Sequence, residues 1–177
     1  MTCKCGGELR QASPVAPNVT VCAACGRSEG VQPGPLEIWT DGSVFPNPGN
    51  GGWGWVRSDG QEACGGVANT TNNRMELTAI LKALESLKPG EQATIYSDSQ
   101  YCVSGLTSWH AKWKSMKWRR KGVDIPNRDL WMALDVAASL VKAKFKWVRG
   151  HNGNPGNERA DRLAEQGRVT AAQSQPI

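Results

Sequence analysis

The sequence predicts an α/β protein, one mixed β-sheet with helices packed against it. Three observations carry that prediction. Between residues 36 and 70, short apolar runs are separated by clusters of Gly, Pro, Asn and Ser, the pattern of hairpin-linked strands. From residue 73 onward, helical periodicity alternates with short β-type runs, which suits helices covering a sheet. The 177 residues, 39% hydrophobic and 21% charged, suffice for one ordinary globular domain with a small appendage.

Taken in order, residues 1–27 form a cysteine-bearing head, and Ser28 to Pro35 ("SEGVQPGP") reads as a linker. "LEIWT" from Leu36 is a strand, followed by a Gly/Pro-rich loop. "GGWGWVRS" and "QEACGGVAN" are hairpin-like strands. "NRMELTAILKALESLK" is an amphipathic helix, with Leu77, Ile80, Leu81, Leu84 and Leu87 at helical spacing. Pro89-Gly90 ends it, and "QATIYS" is a short buried-type strand. A brief helical stretch from Gln100 leads into a basic segment, and "RDLWMALDVAASLVK" is the next helix. "AKFKWVRG" is a strand. "NPGNERADRLAEQG" begins a last helix, with Asn154 as N-cap and Pro155 in its first position. The main domain spans 36–168, and 169–177 reads as a flexible tail.

No apolar run approaches a membrane span, and the N-terminus lacks the basic-then-apolar layout of a secretory signal. A cytoplasmic protein is expected. Six cysteines there argue against a disulfide framework, and the isolated Cys64 and Cys102 read as small, partly buried apolar residues. The net charge of +5 points to an anionic partner. Its distribution is more informative: "WHAKWKSMKWRRKGV", from Trp109 to Val123, holds six Lys or Arg, three Trp and no acid.

Four acids need individual readings. Asp41-Gly42 after an apolar run is, taken alone, a hairpin turn. Glu76 lies three residues after Asn73, a near-match to a capping box. Yet Glu76 shares a helix face with Ile80 and Ala83, and burying a lone charge there is costly. Asp98 could cap the following helix, but it also stands at the carboxyl end of a strand, where open α/β sheets place their sites. Asp161 alone is an ordinary surface acid. Together they are four carboxylates from separate elements, and oxygen-only ligands suit Mg²⁺ or Mn²⁺. Two such ions about 3.5–4 Å apart can activate water and stabilise a leaving oxygen in phosphodiester cleavage. With the basic, Trp-studded segment for phosphate contact, a nuclease is the leading physical reading.

The motifs "TDGSVFPNPGNGG", "TTNNRMEL", "YSDSQY" and "RGHNGNPGNERADRLA" occur in the order seen in type 1 ribonuclease H, and the resemblance covers about Leu36 to Gln166. It implies a five-stranded mixed sheet flanked by helices. It also implies an endonuclease that cuts the RNA strand of RNA–DNA hybrids with two metal ions per active site, leaving 3′-hydroxyl and 5′-phosphate ends; a monomer is expected. Position by position, Asp41, Glu76, Asp98 and Asp161 match the metal-binding acids, and His151 matches the loop histidine that assists proton movement or product release. His110 lacks such context and adds only to the basic surface. Gly42, Asn47, Asn72, Asn73 and Gln100 match RNA-strand positions; the asparagines also suit turns and caps. Thr71 and Asn127 match positions that hold a DNA-strand phosphate. Trp109, Lys112, Trp113, Lys114, Lys117, Trp118, Arg119, Arg120 and Lys121 match the family's basic protrusion on the DNA strand. Asn69 departs from an Arg common at the phosphate pocket, and Val44 from a small polar residue or Cys beside the RNA backbone.

In the head, Cys3, Cys5, Cys22 and Cys25 form a C-x-C and a C-x-x-C, each followed by Gly, a zinc-ribbon-like arrangement for a structural Zn²⁺. So small a segment could hardly fold without metal, and the competing reading is free thiols in a disordered leader. Two other readings compete with the hybrid-cutting enzyme. One is a catalytically silent nucleic-acid-binding module, and the other an enzyme of the same fold acting on another substrate, as transposases and junction resolvases do.

Overall fold

The computed structural model of the protein describes residues 8–13, 16–24, 28–30 and 35–173. In the head, β1 (Leu9–Ser13), β2 (Ala16–Cys22) and β3 (Ser28–Gly30) form an antiparallel sheet in the order β1-β2-β3. The expected linker is therefore shorter, because Ser28–Gly30 pairs with Val19–Val21. Cys3, Cys5 and Cys25 lie outside the described residues, and Cys22 is described only as the last residue of β2.

The main sheet contains β4 (Leu36–Val44), β5 (Gly49–Arg57), β6 (Glu62–Thr70), β7 (Gln92–Ser97) and β10 (Lys142–Trp147), in the order β10-β7-β4-β5-β6. β4, β5 and β6 are an antiparallel meander, while β7 runs parallel to both β4 and β10. This is the mixed five-stranded sheet that the motif order implies. The helices are α1 (Asn72–Glu85), α2 (Gln100–Ser104), α3 (His110–Ser115), α4 (Arg128–Ser139) and α5 (Pro155–Gln173). One wide π-type turn, Gly105–Trp109, joins α2 to α3, and the small hairpin β8 (Arg119–Arg120) and β9 (Val123–Asp124) follows. The expected tail starts late, since α5 runs five residues past Arg168 to Gln173.

The two faces of the sheet are covered differently. α1 and α4 pack on one face around Ile38, Leu77, Ile80, Leu84, Ile95, Trp131 and Leu134, all of them buried. Cys102 belongs to this core, and burial pushes its thiol pKa far up, consistent with an inert packing residue. On the other face α5 crosses β4, β5 and β6 over Trp39, Val56, Ala160 and Leu163. The glycines of "GNGGWGW" explain how close it comes. A Cβ on Gly52 would strike the backbone of Ala164 and Arg168, and one on Gly54 would strike Ala160 and Leu163.

Candidate active site

Asp41 sits inside β4, paired with Gly54, and Gly42 pairs with Trp53. The hairpin-turn reading of Asp41-Gly42 is therefore corrected: the strand continues to Val44, and the turn comes at 45–48. Alternation puts Asp41 on the α5 face and Gly42 on the α1 face. A Cβ on Gly42 would land on the backbone of Met75 and Glu76. Gly42 thus lets α1 approach β4.

Glu76 follows in the first turns of α1. Thr71, not Asn73, is the N-cap, it makes no side-chain capping bond, and Asn73 is exposed, so the capping box does not form. Helical periodicity instead turns Glu76 inward beside Ile80 and Ala83, where it is 5% exposed. Asp98 directly follows the last residue of β7. Ser99 takes the cap of α2, its Oγ accepting from the Cys102 amide at 3.3 Å, which leaves the Asp98 carboxylate uncommitted to the helix.

Asp41, Glu76 and Asp98 each bring a carboxylate oxygen within 4.8 Å of the others. Burial first, then the charges of Asp98 and Asp161, together push the Asp41 pKa up to about 8 against the opposing Gly42 amide, which donates to Oδ1 at 2.8 Å. Burial first, then the charges of Asp41 and Asp98, holds Glu76 well above the carboxylate range. Glu76 Oε2 is buried without a hydrogen-bond partner. Converging, all-oxygen, under-neutralised donors with one orphan oxygen fit a hard divalent cation. Asp161, half-buried on α5, stands outside that trio, although its charge acts on Asp41. His151 is exposed in the loop between β10 and α5, with φ 51°.

Three residues around Asp98 escaped the sequence reading. The Trp147 indole N–H donates to the Asp98 main-chain oxygen at 2.9 Å. Asn157, 2% exposed, directs Nδ2 toward Asp98 Oδ2 at 3.5 Å. A Cβ on Gly150 would strike the same carboxylate. Their only linear signal is closeness to His151; the parallel register Trp147↔Ser97 brings them to Asp98.

The substrate candidates frame this cluster. Asn47 Oδ1 accepts from the Asn72 amide at 3.2 Å, tying the 45–48 turn to α1, and the Asn72 side chain hydrogen-bonds Glu76. Gln100 is the exposed first residue of α2. Asn127 is left-handed (φ 59°), and its Nδ2 donates to the Tyr101 hydroxyl at 3.2 Å. Asn69 is also left-handed (φ 52°), at a bulge in β6, a conformation Asn tolerates.

The basic protrusion divides into surface and core. Trp109 is 42% exposed, whereas Trp118 is 7% exposed and belongs to the core around Trp131, which removes it from the DNA-contact set. Trp113 packs between Trp109 and Trp131, at centroid distances of 5.4 and 5.0 Å. Lys114 and His110 both pair with Asp135, so His110 is more than a surface charge, and Arg119 pairs with Asp124 at 3.0 Å. Trp109, Lys112, Trp113, Met116, Arg120 and Lys121 line a cleft of about 510 Å³. Lys117 adjoins it in a left-handed conformation.

The RNase H family model matches residues 33–169. The Ribonuclease H of Pseudomonas savastanoi pv. phaseolicola is 47% identical over 136 residues, covering 75% of this chain and 91% of that protein. The Ribonuclease H of Bordetella bronchiseptica is 48% identical over 136 residues, covering 75% and 88%. Among solved structures, LC9-RNase H1, a type 1 RNase H with the type 2 active-site motif, aligns with a TM-score of 0.69 at 27% identity. That alignment covers 80% of this chain and 76% of the other. The chain belongs to the RNase H family.

Proposed function

We propose that the chain is a cytoplasmic, monomeric endoribonuclease that hydrolyses the RNA strand of RNA–DNA hybrids, leaving 3′-hydroxyl and 5′-phosphate ends. The observation that carries the reading is the convergence of Asp41 on β4, Glu76 on α1 and Asp98 just after β7, with an unpartnered buried oxygen on Glu76. Asp41, Glu76, Asp98 and Asp161 would hold two Mg²⁺ or Mn²⁺. Bound there, the ions supply an activated water and stabilise the leaving oxygen.

The chain's own residues position the substrate. The Asn47–Asn72 bond stiffens the wall beside the acids, and Asn73 and Gln100 stand exposed where an RNA 2′-hydroxyl is read. Thr71 and Asn127 offer polar groups to a DNA-strand phosphate. Trp109, Lys112, Arg120 and Lys121 present aromatic and cationic surface for the DNA strand. His151, exposed on its loop, takes up or passes on a proton at the cut site. Among the described residues, no helix is long and apolar enough to cross a membrane. Cleavage of labelled hybrid, duplex RNA and duplex DNA, with Mg²⁺ or EDTA, tests this. Only the hybrid is cut, and only with metal; metal-independent cutting, or binding without cutting, refutes the reading.

For the head we propose one structural Zn²⁺ on Cys3, Cys5, Cys22 and Cys25, supported by their spacing. Elemental analysis of the full chain should find about one zinc per molecule. A zinc-free folded head overturns it.

A further inference from the structure

Among the described residues, α5 covers its face of the sheet over β4, β5 and β6 and leaves β7 and β10 largely uncovered on that side. Along β10 the side chains alternate. Ala143 and Phe145 turn toward the core around α1 and α4, so Lys142, Lys144 and Lys146 turn to the open face, and all three are exposed. None of the three pairs with a carboxylate within 4 Å among the described residues. The flanking groups on β7 are Gln92, Thr94 and Tyr96, in register with the three lysines. Glu37, on β4 of this face, is in register with Thr94 and accepts a hydrogen bond from the Tyr96 hydroxyl at 2.8 Å.

This row leads somewhere. β4, β7 and β10 run parallel with Trp39, Tyr96 and Lys146 side by side. Two residues further along the same direction come Asp41 on β4 and Asp98 just beyond β7. The lysine row therefore runs up one sheet face into the acid cluster. Lysines at i and i+2 stand roughly 6.6 Å apart along a parallel strand. That step is of the same order as the step between successive phosphates of an extended single strand. A rigid duplex curves away from so flat a row. Tyr96, half-buried and stacked on Trp39 at 5.5 Å, adds an aromatic surface beside Lys146. A cationic track with a neighbouring ring is how sequence-tolerant single-strand binding is built. Lysines also guard sheet edges against pairing. Edge protection, however, does not require three in succession on one face, aimed at a catalytic cluster.

We propose that Lys142, Lys144 and Lys146 form a track for the single-stranded continuation of the RNA strand beyond the hybrid, leading it to or from the acids. This rests on the hybrid-cutting reading, which fixes RNA as the strand at Asp41 and Asp98. The test compares the full chain with a Lys142→Gln/Lys144→Gln/Lys146→Gln variant. Four substrates are needed: a blunt hybrid, the same hybrid with a 5′ or a 3′ single-stranded RNA extension, and one with a DNA-strand extension. The wild type should bind one of the RNA-extended hybrids about tenfold tighter than the blunt one. The variant should bind blunt and extended hybrids alike, with blunt affinity unchanged. Its salt dependence on the extended hybrid should be shallower by about 2 in log–log slope, three contacts at ~0.7 each. No preference in the wild type, a preference that survives the substitutions, or equal loss on blunt and extended substrates overturns the track. An equal gain from a DNA extension overturns its assignment to RNA. Cleavage of the blunt hybrid separates the two readings, because failure there sinks the hybrid-cutting function, whereas cleavage without an extension effect sinks only the track.

Discussion

The acid cluster and the basic protrusion carry opposite charges and follow opposite structural rules. In the cluster, like charges converge under burial: Asp41 is 7% and Glu76 5% exposed, each close to Asp98. In the protrusion, cations stand in solvent and some meet acids, as Lys114 meets Asp135 and Arg119 meets Asp124. Exposed pairs of that kind contribute about 0–1 kcal/mol, so the protrusion is held by Trp118 and Trp113 packed near Trp131. The difference teaches that chemistry and stability oppose each other in one region and are separable in the other. Each substitution below tests one side of that contrast.

The largest effect belongs to Asp41→Asn. Removing a ligand oxygen from a three-carboxylate cluster should lower hybrid cleavage at least about a thousandfold. The same change removes a buried charge from beside Asp98, so the variant should melt higher than wild type in EDTA at pH 8. Cleavage rates and thermal melts in EDTA read both. A variant that cuts normally, or is less stable without metal, breaks the contrast.

The second prediction concerns pH. Burial and neighbouring acids raise Asp41 from 3.8 to about 8, so the folded state favours its protonated form. That contribution is fully present below about pH 4 and is lost as pH rises through about 8. In EDTA the wild type should therefore lose stability, by several kcal/mol, between pH 5 and pH 8.5. Asp41→Asn should flatten most of that slope, and saturating Mg²⁺ should reverse it at the alkaline end. Urea melts across that range check the sign; stability that rises with pH in EDTA contradicts it.

A third comparison stays inside the protrusion. Trp118→Ala should cost about 3–5 kcal/mol, because it empties part of the core around Trp131. Trp109→Ala, at a 42% exposed position, should cost under about 1 kcal/mol and instead weaken hybrid binding. Equal losses of stability would show that the whole protrusion is structural.

How much of this was legible in the sequence follows from the range of each signal. The β4–β6 meander, α1 and the Asn154 cap announce themselves locally; Asn154 Oδ1 indeed accepts from the Asn157 amide at 3.0 Å. Asp41-Gly42 misled because the dipeptide favours a turn locally. Gly42 is instead required by α1 packing against β4, a contact about 33 residues away in sequence that no short window contains. Trp118 misled for a similar reason. A tryptophan among six cations reads as surface until the fold buries it in the same core as Trp131, with the His110 ring against it. Trp147 and Asn157 were invisible because their bonds to Asp98 span a parallel crossover and a helix start. The three strands of the head carry too little periodicity to read.

The smallest expected effect is the most diagnostic of separability. Lys112 and Lys121 line the cleft of the protrusion and have no carboxylate within 4 Å among the described residues. Neither fills the core, so Lys112→Ala/Lys121→Ala should leave the melting point unchanged within about 0.5 kcal/mol of stability. If both touch phosphates, the slope of log affinity against log salt should fall by somewhat under 2, and affinity should drop severalfold at moderate salt. kcat at saturating hybrid should stay at the wild-type value, because both lysines line the protrusion's cleft and neither belongs to the cluster of Asp41, Glu76 and Asp98. A fall in kcat with an unchanged salt slope would mean that the protrusion acts on the chemistry instead of on the grip. The two regions would then be coupled through the packed Tyr101–Trp131–Trp113 rings that lie between α2 and α3.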